Sequence, residues 1–186
     1  MKKILILILP LILTSCIETI AVAGFGSAYL MTRTKPVKNS LTDVKITTKL
    51  TKEIKYSKEK KLYEKLNFNV YQGRVLLTGN INEQQDLTQL TEKIWSIKGV
   101  SELINETSVK STSKYSVLTD HYIASKIKTR FILDKNIKAF NINVEVYNQN
   151  AYLIGNVANE ADVKIAAKSA AKVRGVKKVV SFLRSS

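Results

Sequence analysis

The chain has 186 residues, 45% of them apolar, with 30 Lys and Arg against 15 acids and a net charge of +15. That apolar content excludes wholesale disorder, and the length suits one or two small domains. The charge favours polyanions, either nucleic acid or the head groups of an anionic membrane, and the single cysteine excludes an intramolecular disulfide.

The amino terminus reads MKKILILILPLILTSC. Lys2 and Lys3 precede an aliphatic run from Ile4 to Leu13, the layout of a secretory signal and short for a bilayer span. The run ends in Leu13-Thr14-Ser15-Cys16. This resembles a bacterial lipobox, which implies cleavage before Cys16 and a covalent diacylglyceryl and N-acyl lipid on that residue. Ile17 follows instead of Asp, the pattern of lipoproteins sent to the outer membrane. Two other readings are an incidental cysteine after an ordinary signal, and a spanning helix over residues 4–32, where Glu18 is the one charge. The expected organisation is a lipoprotein signal peptide over 1–15 and an acylated flexible tether over 16–40. Loss of Lys2 and Lys3 leaves a side-chain charge of +13. Export of this kind argues against nucleic acid as the partner.

Beyond the tether the sequence repeats. Leu41-Thr42-Asp43 returns as Leu118-Thr119-Asp120, and LLTGNI (76–81) returns as YLIGNV (152–157). Asp86 pairs with Asp162, and Gly99-Val100 with Gly175-Val176. The chain is therefore divided into units at 41–109 and 116–186, with 110–115 as linker. Each unit begins with a helix, in the second unit marked by Ile123, Ile127 and Phe131 at four-residue spacing and capped by Thr119 or Asp120. A hairpin follows, turning at Gln72-Gly73 or Asn148-Gln149-Asn150, with Phe68, Val70, Val75 and Leu77 alternating toward one face. A second helix spans about 82–98 or 160–174 and closes at Gly99 or Gly175. A strand around 100–104 or 176–182 ends each unit. Gly79 and Gly155 are expected where the chain leaves the sheet or passes closely beneath a helix. The Lys55–Lys65 insert reads as solvated, and Trp95, between Ile94 and Ile97, as packed against a sheet or the other unit.

The order α-β-β-α-β, with the phrase Val75-Leu76-Leu77-Thr78-Gly79-Asn80, a helix and then Gly99-Val100, resembles the BON domain. The resemblance implies an α+β fold: two tandem BON domains, each a small mixed sheet packed against two helices. With the lipobox, the whole chain resembles the dual-BON outer-membrane lipoproteins of Gram-negative bacteria. For that family the resemblance implies roles in envelope integrity, division-site remodelling and the stress response.

No catalytic constellation is present: the sole histidine, His121, reads as solvent-facing, the carboxylates do not cluster, and the glycines form no phosphate loop. An enzyme is not expected, and no cofactor apart from the lipid on Cys16. The charge is uneven, with +2 over 41–109 and +7 over 116–186. On the first helix of the second unit, Tyr122, Lys126 and Arg130 share a stripe, and Ile132-Leu133 offers an apolar end, a pattern suited to a membrane interface. In the resembled family this helix binds anionic phospholipid through a tryptophan. Tyr122 stands at that position, and Lys126, Ile127, Lys128 and Ile132 occupy matching ones. The expected function is thus a lipid-anchored periplasmic protein on the outer membrane whose second unit docks on anionic phospholipid. The rival reading is an envelope scaffold that binds another envelope or division protein through exposed strands or the Trp95 face. Nucleic-acid binding is a weaker third.

Overall fold

A computed structural model describes residues 37–56, 60–110 and 116–185. The signal peptide, Cys16, most of the tether and linker residues 111–115 lie outside the described residues. Residues 33–186 form one compact unit. Its first half contains α1 (Val37–Lys55), α2 (Lys60–Tyr63), β1 (Leu66–Tyr71), β2 (Arg74–Ile81), α3 (Gln84–Trp95) and β3 (Glu102–Val109). Its second half contains α4 (Val117–Leu133), a 3-10 turn (Ala139–Asn141), β4 (Ile142–Tyr147), β5 (Asn150–Val157), α5 (Glu160–Ala171) and β6 (Lys178–Ser185). The α-β-β-α-β order holds in both halves, and α2 is an addition. The sheets run β1-β2-β3 and β4-β5-β6, with the hairpin pair antiparallel and the last strand parallel to the middle one. A parallel neighbour needs a crossover, which α3 and α5 supply. α1 starts ahead of the expected boundary at 41, and β3 and β6 extend beyond the expected strands.

In the first half Ile46, Leu50 and Ile54 of α1 meet Val75 and Leu77 of β2 and Leu87, Leu90 and Ile94 of α3. In the second half Ile123, Ile127 and Phe131 of α4 meet Val144, Leu153, Ala166 and Ala170. The insert is not wholly solvated, because Tyr63 is fully buried and extends the first core past the end of α1. Trp95 departs from its expected place: it is 54% exposed. Its neighbour Ile94 lies on the core face, and one residue along a helix turns the side chain by about 100°, out of that face.

The repeated Leu-Thr-Asp triplet has a different role from the expected cap. α4 is capped by Ser116, whose Oγ accepts from the Thr119 N–H at 3.2 Å. Asp120 is buried, and its two carboxylate oxygens accept from the N–H groups of Asn148 and Gln149, each at 2.9 Å. Asp43 does the same for Gln72 and Gly73, each at 2.8 Å. These pairs are the two central residues of each hairpin turn, and all four have positive φ: 52° and 78° in the first, 51° and 64° in the second. Three of the four are not glycine, so the turn carries strain of about 1–2 kcal/mol per such residue. Two bonds to a charged acceptor contribute roughly 1.5–3 kcal/mol each, enough to offset it. Asp86 and Asp162 do lie in the first turns of their helices, α3 and α5.

Gly79 and Gly155 sit under a strand start and not under a helix. A Cβ on Gly79 would overlap the Lys65 carbonyl oxygen, and one on Gly155 the Asn141 carbonyl oxygen. Backbone atoms of a paired strand cannot move aside cheaply.

The two sheets pack against each other through the faces that their own helices leave open. β2 is buried along its whole length. Val75 and Leu77 point to the helices, while Leu76 points the other way, into a cluster with Tyr71, Ile104, Tyr152 and Ile154. The layers are therefore helices, sheet, sheet, helices. Asn143 Nδ2 donates to Asn69 Oδ1 at 2.7 Å, and Asn156 Nδ2 to Gln72 Oε1 at 3.2 Å. Arg74, with a side chain 7% exposed, donates to Glu102 at 2.7 Å and to the Phe182 carbonyl at 2.9 Å. Arg184 donates to the same Glu102 oxygen at 2.8 Å. One carboxylate thus joins guanidinium groups from both halves. Nearby, Glu145 is pushed up from its ordinary value of 4.5 to about 7, chiefly by burial and further by Asp120, against the opposing pull of Lys128, an Asn69 hydrogen bond and Lys55.

Three outcomes follow from this packing. Gly79→Ala should cost about 3 kcal/mol in urea unfolding, as an overpacked backbone site does. Asp120→Ala should cost about 3 kcal/mol and Asp120→Asn about half as much, with both losses seen as earlier thermal melting. Glu145 holds its proton in the folded chain to a higher pH than in the unfolded one, so stability should fall as pH rises from 4.5 to about 7 and level off above. The Glu145 contribution to that fall is about 3 kcal/mol, and Glu145→Gln should remove it and melt higher than the parent at pH 8.

Candidate functional site

α4 buries Ile123, Ala124, Ile127 and Phe131 against its sheet and leaves its opposite face uncovered. Tyr122 is 59% exposed, Ile132 63% and Leu133 76%. The helix spacing that places Tyr122 and Lys126 one turn apart brings the Lys126 Nζ to 4.5 Å from the Tyr122 ring centroid, a cation–π contact. Arg130 follows one turn on, where its Nε donates to Ser169 Oγ of α5 at 3.1 Å.

Not every expected contact residue shares this face. Ile127 has no exposed surface and belongs to the core, so it supports the face from beneath and cannot touch a ligand. Lys128 is exposed but lies on another side of the helix, near enough to Glu145 to draw its pKa down. Tyr122, Lys126, Arg130 and Leu133 remain together, and Ile132, one turn after Lys128, flanks them on that side. Leu118, 81% exposed, extends the same stripe one turn before Tyr122. The spacing 118–122–126 carried that signal in the sequence.

Beside the carboxyl-terminal half of α4 lies an open groove of about 850 Å³. Lys126, Arg130 and Leu133 line one wall. Lys172 and Arg174, from the turn joining α5 to β6, line the other, and Lys135 closes one end. Asp134 is the acid of this lining, and its Oδ1 accepts from the Asn136 N–H at 3.0 Å and from Asn136 Nδ2 at 3.2 Å. The chemistry on offer is attraction of an anion that carries apolar material beside it.

A second concavity, of about 720 Å³, lies between the halves, lined by Lys55, Lys65, Lys110, His121, Glu145 and Tyr147 among others. Its charges are mixed, so it does not select one ligand sign. Among the described residues no group of three or more His, Cys, Asp or Glu is placed to hold a metal, and no helix is long and apolar enough to cross a membrane.

Comparison with known proteins bears on this geometry. The chain is 25% identical over 186 residues to the outer membrane lipoprotein DolP of Haemophilus influenzae, covering 99% of this chain and 96% of that protein. It is 30% identical over 132 residues to a 21 kDa hemolysin of Actinobacillus pleuropneumoniae, covering 68% of this chain and 66% of that one. Among solved structures, the C-terminal domain of CdsD, a structural protein of the type III secretion system of Chlamydia trachomatis, is similar at 12% identity with a TM-score of 0.32, over 75% of this chain and 64% of that one. The BON domain model matches residues 42–111 and again 119–185, one match on each half of the folded body, and the chain belongs to the BON domain family.

Proposed function

We propose that this is a lipid-anchored protein of the outer membrane, facing the periplasm, which docks its second BON domain on anionic phospholipid and supports envelope integrity and division-site remodelling. The anchor is the acylated Cys16. The observation that carries the docking is the uncovered face of α4, where Leu118, Tyr122, Ile132 and Leu133 stand exposed beside Lys126 and Arg130. Apolar side chains of this size gain about 1.5–3 kcal/mol each on full burial, and each cation near an anionic surface adds about 1 kcal/mol. Summed over the stripe, these contributions give the unacylated domains a weak, reversible affinity for an anionic surface. Acylation restricts the domain to the surface, and the high local concentration then lets a weak site fill. The relative named as an outer membrane lipoprotein supports the location.

A second reading, an envelope scaffold that binds another protein, is favoured by Trp95. It stands 54% exposed on α3, away from α4, with Leu41 and Val44 of α1 and Tyr56 just beyond it also exposed on the first half.

Residues 33–186 should co-sediment with phosphatidylcholine vesicles containing phosphatidylglycerol and stay in the supernatant with phosphatidylcholine alone. Tyr122→Ala with Leu133→Ser should weaken that partitioning by about tenfold or more. Equal binding to both kinds of vesicle, or an unaffected double variant, would rule out α4 docking. A stoichiometric envelope protein captured by the parent and lost on Trp95→Ala would favour the scaffold.

A further inference from the structure

We infer that the lipid's phosphodiester head group is held in the groove between α4 and the α5–β6 turn, with Lys172 and Arg174 as ligands, and not on the surface of α4 alone. The inference rests on the docking reading above and adds a second element, about 40 residues away in sequence, to the site.

The argument comes from comparing the two halves at equivalent places. In the first half the space between α1 and α3 is closed by an ion pair, Lys93 Nζ to Glu53 Oε1 at 2.6 Å. The repeat aligns Glu53 with Arg130 and Lys93 with Ser169. In the second half the same spot is therefore a cation bonded to a buried serine hydroxyl, and the acid is gone. The turn after the helix gains one cation, with Ser96 replaced by Lys172, and keeps the other, Lys98, as Arg174. Four equivalent positions thus go from a net +1 at 49, 53, 96 and 98 to +4 at 126, 130, 172 and 174. With Lys135, five cations line the groove and repel one another, a cost that a bound anion removes. Asp134 is the one acid of this lining and leaves a net +4 across it.

The size and surroundings agree. A volume of about 850 Å³ is in the range of small-ligand sites and admits a phosphodiester with its polar substituent. Arg130 and Arg174 offer planar donor pairs that match phosphate oxygens, and Lys126 and Lys172 supply point charge. Leu133 lines the groove, and with Ile132 beside it gives apolar surface where acyl chains would leave the head group. A free phosphate would use the cations and have no use for that surface.

The test compares two double charge reversals in residues 33–186: Lys172→Glu with Arg174→Glu in the groove, and Lys49→Glu with Lys98→Glu in the first half, at the equivalents of Lys126 and Arg174. All four residues are exposed, so both variants should fold, which circular dichroism checks. Partitioning into phosphatidylglycerol-containing vesicles should fall by about tenfold or more for the groove variant and less than about threefold for the other. Amide shifts of residues 172–176 should move together with those of α4 on adding lipid. Equal losses in the two variants, or still amides at 172–176, would overturn the groove and leave α4 docking in place. Absence of parental binding to the anionic vesicles would overturn both. Inorganic phosphate shifting the same amides as strongly as lipid would make the groove a soluble-anion site and overturn the membrane source.

Discussion

The carboxylates of Asp43 and Asp120 tie the first helix of each domain to the tip of its own hairpin. Each bond is short and charge-assisted, and each turn is held in a backbone conformation it would otherwise leave. Once that joint is made, the helix can cross the sheet in only one way. Ile46 and Leu50, or Ile123 and Ile127, are then committed to the core, and the residues on the far side of each helix to solvent. The uncovered face of α4 is thus a consequence of where Asp120 reaches. The clamp also explains why the Asp of the Leu-Thr-Asp triplet recurs: it supplies the two acceptors, and a helix turn is needed to aim them.

The two copies of one scaffold differ chiefly in their electrostatics. Both first helices expose apolar side chains, Leu41 and Val44 in one and Leu118 and Tyr122 in the other. Apolar exposure therefore does not separate them. What separates them is the loss of Glu53 and the gain of cations at equivalent positions. In a salt-screened medium a diffuse excess acts only over about a Debye length, roughly 8–10 Å, so cations gathered in one groove matter more than a domain's net charge.

The repeat, the element order and the helix core faces were legible because they rest on short-range periodicity and on landmarks spaced alike in both copies. The hairpin turns at Gln72-Gly73 and Asn148-Gln149 were legible from composition. Contacts between distant segments were not. Leu76, Tyr152 and Ile154 belong to a seam between sheets, and the signal was there: Val75-Leu76-Leu77 and Ala151-Tyr152-Leu153-Ile154 are unbroken apolar runs, the mark of a strand buried on both faces, where a half-buried strand would alternate. Asp120 looked like a cap because capping is local, and its real partners lie 28 and 29 residues away. Trp95 was misplaced because an aromatic beside two isoleucines suggests burial, while helix phase turns it outward. Lys172 and Arg174 could not be joined to α4 without the fold.

The shared seam has a mechanical meaning. Glu102 holds an arginine from each domain, and a dry cluster of Tyr71, Leu76, Tyr152 and Ile154 lies beside it, so the domains have no swivel between them. They form a bracket, not two beads on a string. Helices make up its two outer layers, with α4 on one and α3 on the other. A surface that engages α4 fixes the heading of the whole bracket and turns Trp95 away from that surface. The tandem is two-sided: the α4 stripe and Trp95 stand on opposite outer layers, so contact at one leaves the other open.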